Sequence, residues 1–263
     1  MKKQDELQPH IKCRKGDVAD GVLLVGDPDR IALVTKYWDS AKQVANNRGL
    51  PVWTGKYKGI PISIASTGMG CPSAAIVFEE LANIGAKYFI RIGTCGGLRK
   101  EIMPGDLIVP TGAIRAEGTT REYVDESYPA IADAELVSAL SSAAAENKYT
   151  FWKGINRTHD AFYEPVENLI RWGRLFEDER MKKWNPPVSS EMECSVIFVL
   201  AGLRGLKSAA VLSVNTVEPL DVIAKNPMLV YKLIESEEAK KGVDRAIRTA
   251  LSAVVIYNKN LKK

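Results

Sequence analysis

Metal-ligating side chains are scarce in this chain. Its 263 residues include only two histidines and four cysteines. Cys13, Cys71, Cys95 and Cys194 lie far apart and form no CxxC pair, which argues against both a zinc site and a small disulfide framework. Free thiols in a reducing compartment fit that spacing, and no metal is expected. Long apolar runs are missing as well, so nothing approaches the length needed to cross a bilayer. The opening MKKQDELQPH runs into Asp5, Glu6 and Pro9 without the apolar core of a secretory signal. A soluble, cytoplasmic protein with no membrane partner is the expectation, and without a secretory route the glycosylation triplet Asn156-Arg157-Thr158 has no consequence. Charge bias is weak too: 36 Lys and Arg against 32 Asp and Glu leave a formal charge of +4, too small and dispersed for a nucleic-acid footprint. Linkers, repeats and low-complexity tracts are absent, so residues 1–263 read as a single domain.

What the chain does contain is an alternation of strands and helices. Short β-rich runs recur at Val22 to Gly26, Ile60 to Thr67, Lys87 to Thr94, Asp106 to Gly112 and Ser208 to Asn215. Helical spacing marks Cys71 to Gly85, Ala132 to Glu146, Glu193 to Leu203 and a stretch from about Asn226 to Tyr257. The charged segment Arg171 to Pro187 reads as a helix followed by a surface loop. The pattern predicts a three-layer α/β/α domain around a central mixed sheet, with ligands beyond the carboxyl ends of its strands.

Glycine-rich turns fall at those ends. In GDPDR, Gly26 to Arg30, a glycine follows the first strand and a helix begins at once; backbone N–H groups can approach an anion there, and Arg30 adds a planar charged fork. In RIGTCGGL, Arg91 to Leu98, an arginine, a threonine and interleaved glycines offer a guanidinium, a hydroxyl and open amides to one phosphate. STGMGCPSAA, Ser66 to Ala75, lacks the third glycine of a dinucleotide fingerprint and the lysine of a phosphate-cradling loop, so it reads as a pocket wall carrying Met69. In SSEMEC, Ser189 to Cys194, Glu191 and Glu193 precede an apolar helix. A glutamate there can accept hydrogen bonds from a vicinal diol, although acidity at a helix start would also explain the pair. His10 and Arg48 read alone as ordinary surface residues.

Taken together, PHIKCRKGDVADGVLLVGDPDR, NNRGLPVWTGKYKG, STGMGCPS, RIGTCGG, PAIAD, the Phe162-Tyr163 pair and EME resemble, in order and spacing over nearly the whole chain, the nucleoside phosphorylase family of trimeric and hexameric enzymes. The resemblance implies cleavage of a nucleoside to a free base and a pentose 1-phosphate, with inorganic phosphate as co-substrate and no cofactor. Gly26, Arg30, Arg91 and Thr94 would bind phosphate, joined by Arg48 from a neighbouring subunit. His10 from that neighbour, with Met69, Met192 and Glu193, would hold the ribose. Cys95, Gly96, Phe162, Glu191 and Asn215 would border the base. Arg91 and Glu193 would carry the catalytic load, so that Arg91→Ala abolishes phosphate-dependent cleavage with the fold intact. A dimer completing two sites, multiplied into a hexamer, is the implied assembly.

Base choice stays open at this level. The purine branch carries a Ser-Asp pair where this chain has Asn215 and Thr216 in VNTVEP. The uridine branch shares the VN but follows the FY pair with a glutamine and an arginine, where this chain has Val166 and Asn168. The stretch Glu117 to Asp133 favours uridine. Purine and methylthioadenosine cleavage remain alternatives, as does a nucleoside-binding regulatory protein without activity.

Overall fold

The computed structural model describes residues 6–99, 101–163, 187–216, 232–234 and 236–261. Val22 to Val25 form the fully buried heart of β1 (Gly21–Val25), as a strand covered on both faces requires. It lies between β4 (Ile60–Ser66) and β5 (Tyr88–Gly97), parallel to both, and β5 is parallel in turn to β10 (Lys207–Thr216). The carboxyl ends of these four strands therefore open on one side. The remaining strands are β2 (Ser40–Asn47), β3 (Leu50–Tyr57), β6 (Leu107–Ala116), β7 (Ala130–Ile131), β8 (Phe151–His159) and β9 (Ser189–Glu191).

All of them join one mixed sheet, as expected, but the sheet is not a plain open layer. β5 pairs β10, β10 pairs β6, β6 pairs β8, β8 pairs β9, and β9 returns to β5. That ring brings β8 and β9 to the carboxyl end of β5. β2 and β3 were not foreseen because SAKQVANN is polar and partly exposed, with no apolar alternation to read. Their hairpin turns at Arg48 and Gly49, with φ of 55° and 74°, the paired left-handed conformation of a two-residue hairpin loop.

The helices form two groups. α2 (Cys71–Asn83), α3 (Thr119–Tyr123) and α5 (Cys194–Leu203) pack together, and α4 (Ala134–Glu146) packs on α6 (Glu237–Asn260); α1 (Arg30–Thr35) follows the first strand. α5 is apolar all round and almost wholly buried. α6 is capped by Ser236, whose side chain accepts from the Ala239 N–H; of the helical stretch read from Asn226, residues 232–234 are helical as well, and 226–231 lie outside the described residues. So do 164–186, and with them Val166, Asn168 and nearly all of the segment Arg171 to Pro187. Among the described residues no helix is long and apolar enough to cross a membrane.

Candidate active site

A cavity of about 580 Å³ lies at the carboxyl ends of β1, β5 and β10. At one end Arg30, on the first residue of α1, donates from Nη1 to the Ile92 carbonyl at 3.1 Å. Arg91 reaches the same place from β5. Its Nη1 is buried with no hydrogen-bond partner among the described residues and would stand 4.0 Å from a Cβ built on Gly26. An orphaned guanidinium nitrogen facing a side-chain-free turn suits a small anion. Gly93 makes the arrangement possible, because a Cβ there would come within 2.9 Å of the Arg91 Cζ and Nη2. Burial and then the nearby Arg91 lower the Arg30 pKa, so an incoming anion relieves repulsion between the two cations. Thr94 borders the same space.

Two buried glutamates hold Arg91, and they do different work. Glu191 accepts from Arg91 Nε at 3.1 Å and from the Glu193 N–H at 2.8 Å on Oε2, and from Asn156 Nδ2 and Thr158 Oγ1, each at 2.7 Å, on Oε1. The Cys194 N–H lies against both oxygens. Burial pushes its pKa up, but Arg91 and these donors outweigh burial and hold it below the usual carboxylate range. No acceptor capacity remains for a base, so Glu191 supports Arg91 and the start of α5 instead of greeting a ligand. Glu193 accepts from the Gly70 N–H at 2.6 Å on Oε1 and from Arg91 Nη2 on Oε2, leaving lone pairs toward the cavity. Burial raises its pKa, and Glu191 adds to the rise against the pull of Arg91. Hydroxyl donors from a ligand would favour its ionised form. Arg91 is held charged: burial disfavours the cation, but Glu193 and Glu191 overcome that and raise its pKa.

Met192 and the strongly exposed Met69, at 85%, border the cavity, as do Gly96, Asn215 and Phe162. Asn215 is the extra residue of a β-bulge, since Val214 pairs with Cys95 while Thr216 pairs with Gly96; bulges commonly re-aim side chains at sites. Cys95 borders the cavity as well. Its thiol lies against the Ser213 carbonyl, and burial drives its pKa far up.

Two expected residues lie outside this cavity, and they lie together. Glu80 accepts from His10 Nδ1 at 2.6 Å and from the Ile11 N–H at 2.8 Å. A carboxylate only accepts, so Nδ1 carries the proton and Nε2 faces away. Asn47 donates to the His10 carbonyl at 2.7 Å, which ties His10 beside the exposed hairpin tip that carries Arg48.

Arg157, His159 and Ser190, not singled out from the sequence, border the cavity, as does Thr216. Arg157 and His159 sit on β8, whose mixed composition hides the strand. Cys71, Glu117 and Asp160 place ligand atoms within 4.8 Å of one another. However, Glu117 accepts from the Thr120 N–H and Ser195 Oγ, each at 3.0 Å, and burial pushes the Cys71 thiol far up. That chemistry is internal packing.

The phosphorylase superfamily model matches residues 21–255. The chain is 39% identical to the uridine phosphorylase of Thermococcus kodakarensis, over 90% of this chain and 87% of that protein. It is 36% identical to the guanosine phosphorylase of Halorubrum lacusprofundi, over 94% and 98% of the two. The crystal structure of uridine phosphorylase from Vibrio fischeri superposes with a TM-score of 0.80 at 32% identity, covering 95% of this chain and 97% of the other.

Proposed function

The chain belongs to the phosphorylase superfamily, and we propose that it cleaves uridine with inorganic phosphate, releasing uracil and ribose 1-phosphate, without a metal or cofactor. The observation that carries the phosphate half is the buried, unpartnered Nη1 of Arg91 facing Gly26 beside Arg30. A phosphate held there by Arg30, Arg91, Thr94 and the Gly26 backbone is fixed as a nucleophile toward C1′ of a sugar on Glu193 and Met192. As the glycosidic bond lengthens, the sugar gains positive charge, and the adjacent phosphate anion stabilises it. Arg91 links the two substrates physically, because one face of its guanidinium meets the phosphate space and the other holds Glu193.

His10 and Arg48 support a shared site. They occupy one edge of the protomer, away from its own cavity, with Nε2 of His10 turned outward. Arg48 is held at a left-handed position that asparagine or glycine would fill with less strain, a placement that makes sense for a side chain presented to a neighbour. The assembly proposed is a dimer completing two sites, multiplied into a hexamer, in a cytoplasmic setting. Guanosine is the second candidate substrate, favoured by the 36% identity to a guanosine phosphorylase over nearly its whole length.

The test is base release from uridine, guanosine and methylthioadenosine, with and without phosphate. The expected result is uracil release only with phosphate, accompanied by ribose 1-phosphate. Turnover equal in both buffers would indicate hydrolysis, and no turnover of any nucleoside would sink the enzymatic reading.

A further inference from the structure

Residues paired in register on neighbouring strands share a face of the sheet. Thr216 pairs with Gly96, Gly96 with Ser190, and Ser190 with Arg157, so these residues cross β10, β5, β9 and β8 as one row. All border the cavity. Asn156 and Thr158, on either side of Arg157, point the other way onto Glu191, as strand alternation demands. Ser190 Oγ is buried with no hydrogen-bond partner among the described residues. A Cβ on Gly96 would meet nothing closer than Thr216 Oγ1 at 3.4 Å, so this glycine relieves no clash and instead leaves the middle of the row open.

The row also stands at a useful distance from the phosphate end. Thr94 and Gly96 are two residues apart on the same face of β5, which separates them by about 6.6 Å, comparable to the breadth of a pentose. Row neighbours are about 4.8 Å apart, so two or three of them span the edge of a base.

We propose that Arg157 and Ser190 recognise the carbonyl edge of the leaving base and take up the negative charge that it gains. The inference rests on the nucleoside reading above and adds the substrate class, bases carrying carbonyl oxygens. A hydrogen phosphate oxygen bonds to C1′ as the C1′–N bond breaks, the bonding pair leaves with the base and spreads onto its carbonyl oxygens, and the proton that the phosphate gives up on becoming an ester passes through solvent to neutralise the departed base. A guanidinium has donors and no acceptor, so it rewards a carbonyl oxygen and gives an exocyclic amino group nothing to bond. Uridine and 6-oxopurine nucleosides are therefore favoured over cytidine and adenosine. The charge also grows as the bond breaks, so the interaction strengthens in the transition state.

The experiment compares wild type, Arg157→Met and Ser190→Ala on uridine, cytidine and 5-fluorouridine, whose base is a better leaving anion, with phosphate titrated throughout. Loss of a preorganised charge-assisted donor at Arg157 should cut kcat/KM on uridine by about 10²-fold. Ser190→Ala, which removes one oxygen and keeps the fold testable should the larger change unfold the protein, should cost about tenfold. Both deficits should shrink on 5-fluorouridine, the uridine-to-cytidine ratio should fall, and the KM for phosphate should hold. Equal losses on both uridines, a raised phosphate KM, or unchanged kinetics in Ser190→Ala would overturn the proposal. If wild type turns over no nucleoside, the enzymatic reading fails separately. Calorimetric binding of free uracil and hypoxanthine against adenine then decides this one: tighter binding of the oxo bases, weakened in both variants, upholds it, and binding indifferent to the substitutions refutes it.

Discussion

The two ends of the cavity are built by different means. The end proposed for phosphate comes from β1 and β5, adjacent parallel strands whose glycine turns and arginines lie within two short stretches of sequence, Gly26 to Arg30 and Arg91 to Thr94. The end proposed for the base comes from a row across four strands that runs from Thr216 through Gly96 and Ser190 to Arg157. A local construction is hard to vary piecemeal, since Arg91, Gly93, Glu191 and Glu193 interlock. The row instead draws its members from four separate strands, Ser190 pairing with Arg157 across 33 positions of sequence. The first end is contained in local stretches of sequence, whereas the second exists only once distant strands have paired.

Arg91→Ala breaks the comparison most severely. It removes the orphaned Nη1 and should cost about 10²- to 10³-fold in kcat/KM on every nucleoside alike. The sequence suggested an intact fold for this variant, but Arg91 is the cation between two buried carboxylates. Leaving those charges uncompensated should destabilise the protein by about 3–5 kcal/mol, read as a lowered denaturation midpoint. Loss confined to one nucleoside, with phosphate saturation unchanged, would erase the distinction between the ends.

Gly93→Ala is a finer probe of the same end. The added methyl group would sit 2.9 Å from the Arg91 Cζ and 2.8 Å from Leu212 Cδ2, so the guanidinium must shift. Overpacking of this kind costs about 1–3 kcal/mol, and a misplacement of roughly 1 Å is enough to cost about 10²-fold in rate. Steady-state kinetics should show the loss as a raised phosphate KM and reduced kcat, with the ranking of nucleosides preserved. A changed ranking would mean that Arg91 also governs the base.

The contrast in construction explains what could be read in advance. Strand-ending glycines announce themselves in sequence because backbone approach to an anion is a local requirement, and Gly26, Arg30, Arg91 and Thr94, singled out on that ground, line one cavity. Ser190 and Arg157 become neighbours only through pairing between positions 33 residues apart, and no window of sequence contains that fact. The glutamate pair was legible as a pair but not as a division of labour. Which carboxylate is saturated depends on Asn156 and Thr158 arriving from β8.

That division of labour has a pH signature. Glu191 is ionised in the folded protein at pH values where the unfolded chain, near pKa 4.3, has taken up a proton. Its stabilising contribution is therefore complete above that value and is lost as pH falls through the depressed folded pKa. Glu193 carries the opposite sign: its pKa is raised, so its contribution is present below the unfolded value and fades as pH climbs through the folded one. Glu191→Gln should lower stability at neutral pH by about 1–3 kcal/mol, because its amide N–H₂, in place of either oxygen, meets N–H groups that only donate. It should also flatten the acid limb of a plot of melting temperature against pH below about pH 5. Catalysis should suffer less than in Arg91→Ala, and the order of nucleosides should stay as in wild type, since Glu191 touches the arginine and not the base. An acid limb as steep as that of the wild type would mean that another carboxylate carries the transition, and that the saturation seen around Glu191 does not set its ionisation.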